Sequence, residues 1–124
     1  MTRKVFIVED NLILSLLYKS YMEKIGFEVA AELIRGEEAV RMVRSAKPDL
    51  ILMDIALEGE MDGIEAMKQI RQFSTVPVIY VTGNSDPRHL RKAEGTGYLD
   101  YLIKPVDFQA LKASIDKYFL IENF

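Results

Sequence analysis

The chain has 124 residues, the length of one ordinary domain. Hydrophobic residues make up 49% of it and charged residues 28%, which is the composition of a folded globular protein rather than a disordered one. It has no cysteine and one histidine, which excludes disulfides, thiol catalysis and a multi-histidine metal centre. The net charge of −3 argues against general nucleic-acid affinity, and the apolar runs are too short for a membrane span or a signal peptide. We therefore expect a single cytoplasmic domain over residues 1–124.

Short apolar runs alternate along the chain with segments whose apolar residues recur at helical spacing. In chain order, the pattern predicts a strand at 5–8, a helix at 11–25, a weaker, peripheral strand at 28–33, a helix at 36–46, a strand at 49–54, a helix at 63–73, a strand at 76–81, a helix at 87–94, a strand at 98–103 and a helix from 108 onward. The main strand runs are continuously apolar, which is typical of strands covered on both faces. This alternation predicts a doubly wound α/β fold in which a parallel sheet is flanked by helices.

Several predicted helices carry end signals in the sequence. Gly26 is expected to end the first helix, and Asp62 to cap the start of the third. Asp86, followed by Pro87, is expected to open the fourth helix, and Asp107 the last.

The first helix carries more apolar residues than one inward stripe needs. The predicted stripe is Leu14, Leu17, Tyr18, Tyr21 and Ile25, while Leu12, Ile13 and Leu16 lie off it. In the last helix we expect Phe108, Leu111, Ile115 and either Tyr118 or Phe119 to face inward, and the chain ends in an apolar tail at 118–124. If these residues form an exposed patch, they indicate a homodimer or docking surface on these two helices. Local packing, with Leu12 and Ile13 against loops and the tail against its own helix, is the favoured alternative.

Chemically reactive side chains stand where the strands end. Glu9 and Asp10 follow the first strand, Asp54 ends the third, Thr82 follows the fourth and Lys104 follows the fifth. Parallel strands bring these ends to one edge of the sheet, where such folds bind ligands. Clustered carboxylates repel one another and need a cation, and oxygen-only ligands favour Mg²⁺. A lysine and a hydroxyl beside them complete an anion site for phosphoryl transfer, with a carboxylate as candidate nucleophile. Any one of these residues alone is more typical of a solvated loop end; it is their combination that indicates a site.

The same residues, together with Tyr101 and Pro105, match a known pattern of residue type, order and spacing over essentially the whole chain. They resemble the receiver domain of two-component response regulators. The resemblance implies a five-stranded sheet of order 2-1-3-4-5, a flavodoxin-like arrangement, and a cis peptide before Pro105.

The resemblance also assigns roles to individual residues. Asp54 would accept a phosphoryl group, and Mg²⁺ would be held by Asp10, Asp54 and the backbone carbonyl of Ala56, with Glu9 acting on the metal through water. Lys104 would pair with a carboxylate or phosphoryl oxygen, and Thr82 would hydrogen-bond the phosphoryl group. Tyr101 would be an aromatic switch that turns inward when Thr82 moves.

The partners implied by the resemblance are a sensor histidine kinase or phosphotransfer protein upstream and an unidentified output protein or domain downstream. The domain would not be a conventional enzyme, although it would catalyse its own phosphorylation and dephosphorylation. The basic residues Arg88, Arg91 and Lys92 of the fourth helix are better explained as a solvated face than as a DNA-binding surface, and we expect no direct binding of nucleic acid or membrane.

The sequence departs from the usual receiver pattern at a few positions. Gly83 stands where alanine is more usual, and Tyr98 stands where a small residue is common, which is expected to alter the packing of the fourth helix. The loop from 57 to 63 is long and acidic, as expected of a solvated loop. Ala56 and Asn84 occupy positions that bear on phosphoryl lifetime in this family, and they predict an intermediate lifetime.

Rival interpretations fit the residues less well. A Mg²⁺-dependent phosphohydrolase using Asp54 would be expected to carry a second acid two positions later, where this chain has Ala56. A flavodoxin-like cofactor binder would need a phosphate-binding loop after the first strand, where the chain has Glu9 and Asp10 instead. An interaction domain that works without phosphate would not need the intact set of site residues.

Overall fold

The computed structural model describes residues 2–83 and 86–119. Within these ranges, five strands and five helices alternate in the predicted order. The elements are β1 (Arg3–Val8), α1 (Leu12–Ile25), β2 (Phe27–Leu33), α2 (Gly36–Ala46), β3 (Leu50–Met53), α3 (Gly63–Ile70), β4 (Val78–Thr82), α4 (Pro87–Glu94), β5 (Asp100–Ile103) and α5 (Phe108–Tyr118). The strands form a parallel sheet of order β2-β1-β3-β4-β5, so the predicted doubly wound topology is confirmed.

Short polar residues and a glycine set the helix ends as predicted. Gly26 ends α1 in the left-handed conformation at φ 115°, which a residue without a Cβ adopts at no steric cost. The side chains of Asp62, Asp86 and Asp107 each accept a hydrogen bond from a backbone N–H in the first turn of α3, α4 and α5. Asn11 caps α1 in the same way and so fixes the turn between β1 and the helix.

The core lies on both faces of the sheet, which explains the continuous apolar runs. Side chains alternate along β1, so that Phe6 and Val8 pack on the face covered by α2 and α3, and Val5 and Ile7 pack beneath α1 and α5. All residues of β3 and β4 are buried. These central strands therefore hold the carboxyl edge of the sheet rigidly.

The structure corrects the boundaries of some predicted elements. β5 begins at Asp100 rather than at residue 98, and α3 ends at Ile70 rather than at residue 73. β5 is an edge strand and is only partly buried, because no further strand covers its outer side.

The predicted inward stripe of α1 was wrong at Leu17. Leu17 is exposed, whereas Ser15 and Met22 are buried with Tyr18 and Ile25. Ser15 tolerates burial because its hydroxyl donates to Oε1 of Glu32 at 3.1 Å, so a polar residue occupies a position on the inward face.

The surplus apolar residues of α1 are exposed, so Leu12 and Ile13 do not pack against loops as the favoured alternative expected. Leu12, Ile13 and Leu16 are 69%, 78% and 62% exposed. At the other end of the chain, the Phe119 ring packs edge-on against Phe27 with centroids 5.5 Å apart, while Tyr118 is exposed. Residues 120–124 of the predicted apolar tail lie outside the described residues. In the part of the chain that the structure describes, every helix is too short or too polar to cross a bilayer.

Candidate functional site

The parallel register brings the strand ends together at one edge of the sheet. Val8 at the end of β1 pairs with Met53 at the end of β3, and the backbone N–H of Asp54 donates to the carbonyl of Val8 at 2.9 Å. On the other side, the N–H of Lys104 donates to the carbonyl of Thr82 at 2.8 Å. The sequence prediction that these ends meet at one edge is confirmed.

Lys104 joins the two buried carboxylates of this edge. Its Nζ lies 2.9 Å from Oδ2 of Asp54 and 2.9 Å from Oε1 of Glu9. Burial alone would lower the pKa of Lys104, but the hydrogen bonds and charges of Glu9 and Asp54 outweigh that effect and raise it. The side chain therefore remains cationic and holds Asp54 in a fixed orientation.

Glu9, Asp10 and Asp54 form a carboxylate cluster at the site. Each offers one oxygen, and these oxygens lie within 4.8 Å of one another. Glu9 and Asp54 are buried, and the other oxygen of Glu9, Oε2, accepts a hydrogen bond from the N–H of Asn11 at 3.0 Å. Burial and the adjacent Glu9 carboxylate raise the pKa of Asp10, because a further negative charge is unfavourable there.

The cluster fits a divalent cation. Within residues 2–83 and 86–119, Oδ1 of Asp54 is buried and has no hydrogen-bond partner, although Oδ2 is held by Lys104. A buried carboxylate oxygen without a donor is costly unless a cation or water satisfies it. Oxygen ligands of this kind suit Mg²⁺, so Asp54, Asp10 and Glu9 fit the ion that the sequence predicts.

The remaining predicted site residues lie around this cluster. Thr82 is fully buried at the end of β4, and Ala56 is exposed in the turn that follows β3. Tyr101 is partly buried, and its ring packs against Tyr80 and Tyr98. The Lys104–Pro105 peptide bond is cis, as expected. Asn84, for which we predict an effect on phosphoryl lifetime, lies outside the described residues.

The sequence analysis missed Gly63, the first residue of α3. A Cβ at this position would lie 2.1 Å from the carbonyl oxygen of Asp54, so only glycine allows the helix to approach the strand end this closely. Its N–H also donates to the carbonyl of Ile55 at 2.8 Å. The adjacent Asp62, predicted as a helix cap, was the available signal that a helix begins here.

The family model for the response regulator receiver domain matches residues 5–116. The chain belongs to this family. The match accounts for the fold, and receiver domains are signalling phosphoacceptors rather than conventional enzymes. It decides against the phosphohydrolase and the flavodoxin-like cofactor binder.

Relatives and solved structures are consistent with this assignment. The chemotaxis protein CheY of Bacillus subtilis is 32% identical over 94% of this chain and 98% of its own length. The transcriptional regulatory protein CrdR of Helicobacter pylori is 34% identical over 96% of this chain. The solved receiver domain of a Pseudomonas aeruginosa sensor histidine kinase, with magnesium coordinated in its active site cleft, has a TM-score of 0.84 and 27% identity, covering 95% of this chain and 98% of that one.

The chain spans only part of the transcriptional regulators that it matches. It covers 56% of CrdR and 25% of the Escherichia coli regulator ZraR, whereas it covers nearly all of CheY. Receiver domains interact with histidine kinases and with output domains.

Proposed function

We propose that this chain is a single receiver domain over residues 1–124 that is switched by phosphorylation of Asp54. The phosphoryl donor is the phosphohistidine of a sensor histidine kinase or phosphotransfer protein. The observation that carries the proposal is the state of the Asp54 carboxylate. It is buried, its Oδ2 is held by Lys104, and its Oδ1 has no hydrogen-bond partner among the described residues. The carboxylates of Asp10 and Glu9 lie next to it.

The transfer is a displacement at phosphorus. A carboxylate oxygen of Asp54 attacks, the new O–P bond forms, and the N–P bond of the phosphohistidine breaks. The electron pair of that bond returns to the imidazole, which takes up a proton. Lys104 orients Asp54 and lies close enough to pair with the phosphoryl oxygens, so this chain's own residues supply positioning and positive charge.

Asp10, Asp54 and the backbone carbonyl of Ala56 are the groups that would hold Mg²⁺, with Glu9 acting on it through water. When bound, the ion supplies positive charge that offsets the negative charge of the transferring phosphoryl group. The carboxylate cluster supports this assignment. Among the described residues, Lys104 is the cation that forms ion pairs with Glu9 and Asp54, and its single positive charge does not balance three carboxylates.

The phosphorylated domain differs from the unphosphorylated one by added negative charge at the carboxyl edge of the sheet. A phosphoryl group adds about −1.5 to −2 charge at neutral pH, which attracts Lys104 and recruits the Thr82 hydroxyl. Movement of Thr82 opens space for the Tyr101 ring, and the change biases two pre-existing conformations of the surface near α4, β5 and α5. An output protein or domain reads this surface in the cytoplasm, and the chain itself binds neither nucleic acid nor membrane. Hydrolysis of the acyl phosphate by water, catalysed by the same site, returns the domain to its first state.

The decisive experiment is incubation with acetyl phosphate, with and without Mg²⁺, followed by intact-mass measurement. We expect the mass of one phosphoryl group to be added when Mg²⁺ is present and to be lost again over time. Addition of a chelator before the donor should prevent the gain. An unchanged mass at abundant Mg²⁺ and acetyl phosphate would refute the proposal.

We also propose that the chain self-associates through the exposed apolar residues of α1. Leu12, Ile13 and Leu16 form a stripe next to the phosphorylation edge, and exposed patches of this kind commonly mark contact surfaces. We expect sedimentation velocity to show a dimer at high protein concentration that Ile13→Glu converts to monomer. The matched control is Glu23→Gln on the same helix, which should leave the dimer intact. Wild-type protein that remains monomeric at high concentration, with and without phosphorylation, would rule out self-association.

A further inference from the structure

A directional chain of buried hydrogen bonds joins β4 to the C-terminal end of α4. Tyr80 is fully buried, and its Oη lies 2.7 Å from Oγ1 of Thr96. The Thr96 hydroxyl donates to the carbonyl of Ala93, in the last turn of α4, at 2.5 Å. A threonine hydroxyl has one hydrogen, so Tyr80 must be the donor to Thr96. The two hydrogen bonds therefore link Tyr80 through Thr96 to α4.

Further hydrogen bonds hold the segment around Thr96 in place. Nε of Arg71, at the end of α3, donates to the carbonyl of Thr96 at 2.7 Å. The N–H of Thr96 donates to the carbonyl of Ala93 at 2.9 Å. Burial raises the pKa of Tyr80 to about 12, so its hydroxyl remains a donor well above neutral pH. The C-terminal end of α4 is thus tied to both β4 and α3.

The ring of Tyr80 contacts the proposed switch residue. Its centroid lies 6.0 Å from that of Tyr101 and 5.9 Å from that of Tyr98, and the latter two lie 5.8 Å apart. Tyr80 and Tyr101 are direct partners in the register of β4 and β5. Thr82, two residues after Tyr80 on the same strand, faces the same side of the sheet. Tyr80 therefore contacts the Tyr101 ring through its own ring and is linked to α4 through the hydrogen bond of its hydroxyl to Thr96.

We infer that Tyr80 is a positioning residue that transmits a rearrangement of Tyr101 to the C-terminal end of α4. The inference rests on the proposed function, in which Tyr101 moves after Asp54 is phosphorylated. In a close-packed core, a moving Tyr101 ring must displace the Tyr80 ring that it touches. Because the Tyr80 hydroxyl is tied to Thr96, that displacement reaches α4 instead of being absorbed within the cluster. Tyr98 completes the cluster from the segment between α4 and β5.

Tyr80→Phe tests the inference because it keeps the ring and removes only the hydroxyl. Thr96→Val removes the same hydrogen bond from the other side, together with the bond from the Thr96 hydroxyl to Ala93, and should likewise uncouple Tyr80 from α4. Ser114→Ala is the control: it removes a different side-chain hydrogen bond, the 2.7 Å contact from Ser114 to Oδ2 of Asp100 on β5. Before phosphorylation, we expect the Thr96 and Gly97 amides to exchange about fivefold faster in Tyr80→Phe than in wild type, and at the wild-type rate in Ser114→Ala.

The deciding measurement compares amide exchange and the Tyr101 ring signals before and after treatment with acetyl phosphate and Mg²⁺. We expect all variants to gain the phosphoryl mass as wild type does, and the Tyr101 signals to shift in each. In wild type and Ser114→Ala, exchange at Thr96 and Gly97 should also change, whereas in Tyr80→Phe and Thr96→Val that change should be lost.

Each other outcome overturns the inference. If Tyr80→Phe is phosphorylated and Thr96 and Gly97 respond as in wild type, the hydroxyl is not the connection and the proposed function stands alone. If the Tyr101 response is lost as well, Tyr80 acts on the switch itself rather than transmitting its motion. If wild type gains no phosphoryl mass, the proposed function fails and the inference fails with it.

Discussion

Asp54→Asn is expected to abolish phosphorylation by acetyl phosphate. The amide has the shape of the carboxylate but lacks the anionic oxygen that must form the O–P bond. We expect Glu9 not to replace it, because Oε1 of Glu9 is ion-paired with Lys104 and its Oε2 accepts from the N–H of Asn11, whereas Oδ1 of Asp54 has no hydrogen-bond partner among the described residues. Intact mass after incubation with acetyl phosphate and Mg²⁺ should equal that of the untreated variant.

The same substitution should leave the fold intact, which makes it a clean test. It removes an ion pair with Lys104, but it also removes the cost of burying a charge and the repulsion from Glu9 and Asp10. We expect these opposing effects to hold the change in unfolding free energy to about 1 kcal/mol, measured by urea denaturation. Asp116→Asn, on the exposed face of α5, is the control and should accept the phosphoryl group normally.

Asp10→Asn separates the nucleophile from the metal site. It leaves Asp54 in place and removes one of the carboxylates that would hold Mg²⁺. We expect the Mg²⁺ concentration for half-maximal phosphorylation to rise by about tenfold or more, with partial recovery at high Mg²⁺. Phosphorylation of Asp54→Asn at any Mg²⁺ concentration would show that another residue is the acceptor.

The site could be predicted from the sequence because its residues are tied to strand ends. A continuously apolar run locates a buried strand, and the polar residue that ends the run must lie at the carboxyl edge of a parallel sheet. Glu9, Asp54 and Lys104 are placed by this reasoning alone, and the structure brings them together. The helix caps Asp62, Asp86 and Asp107 were predictable for a similar reason, since capping depends on a few neighbouring residues.

The features that sequence reasoning missed depend on contacts between distant segments. Tyr80 resembles any other apolar residue of a buried strand until Thr96, 16 positions later, is placed beside its hydroxyl. Leu17 fits a helical stripe, but which side of α1 faces the core depends on how the helix packs on β1 and β2. Ser15 can be buried because its hydroxyl donates a hydrogen bond to Glu32, which lies on a different element. No local pattern carries this information.

Gly63→Ala is expected to impair both the fold and the phosphorylation site. The added Cβ would lie 2.1 Å from the carbonyl oxygen of Asp54 and 2.9 Å from Cγ of Met53. The carbonyl is part of the backbone and cannot rotate away, so β3 and α3 must separate. Overpacking of this kind costs about 1–3 kcal/mol. Because the displaced residue is Asp54 itself, we expect phosphorylation by acetyl phosphate to slow by about a hundredfold.

Gly36→Ala is the matched control, because Gly36 is also the first residue of a helix. A Cβ there would meet Cβ of Ala66 at 3.1 Å, and Cγ and the backbone carbonyl oxygen of Met61 at 3.2 Å each. These contacts are about 1 Å longer than the one at Gly63, so shifts of a few tenths of an ångström relieve them, and they do not involve Asp54. We expect a loss of stability of about 1 kcal/mol or less, with phosphorylation close to wild type. The comparison distinguishes general destabilisation from displacement of the acceptor: phosphorylation must fall far more in Gly63→Ala than in Gly36→Ala among molecules that remain folded. Equal rates in the two variants would mean that the close approach of α3 to Asp54 does not position the carboxylate.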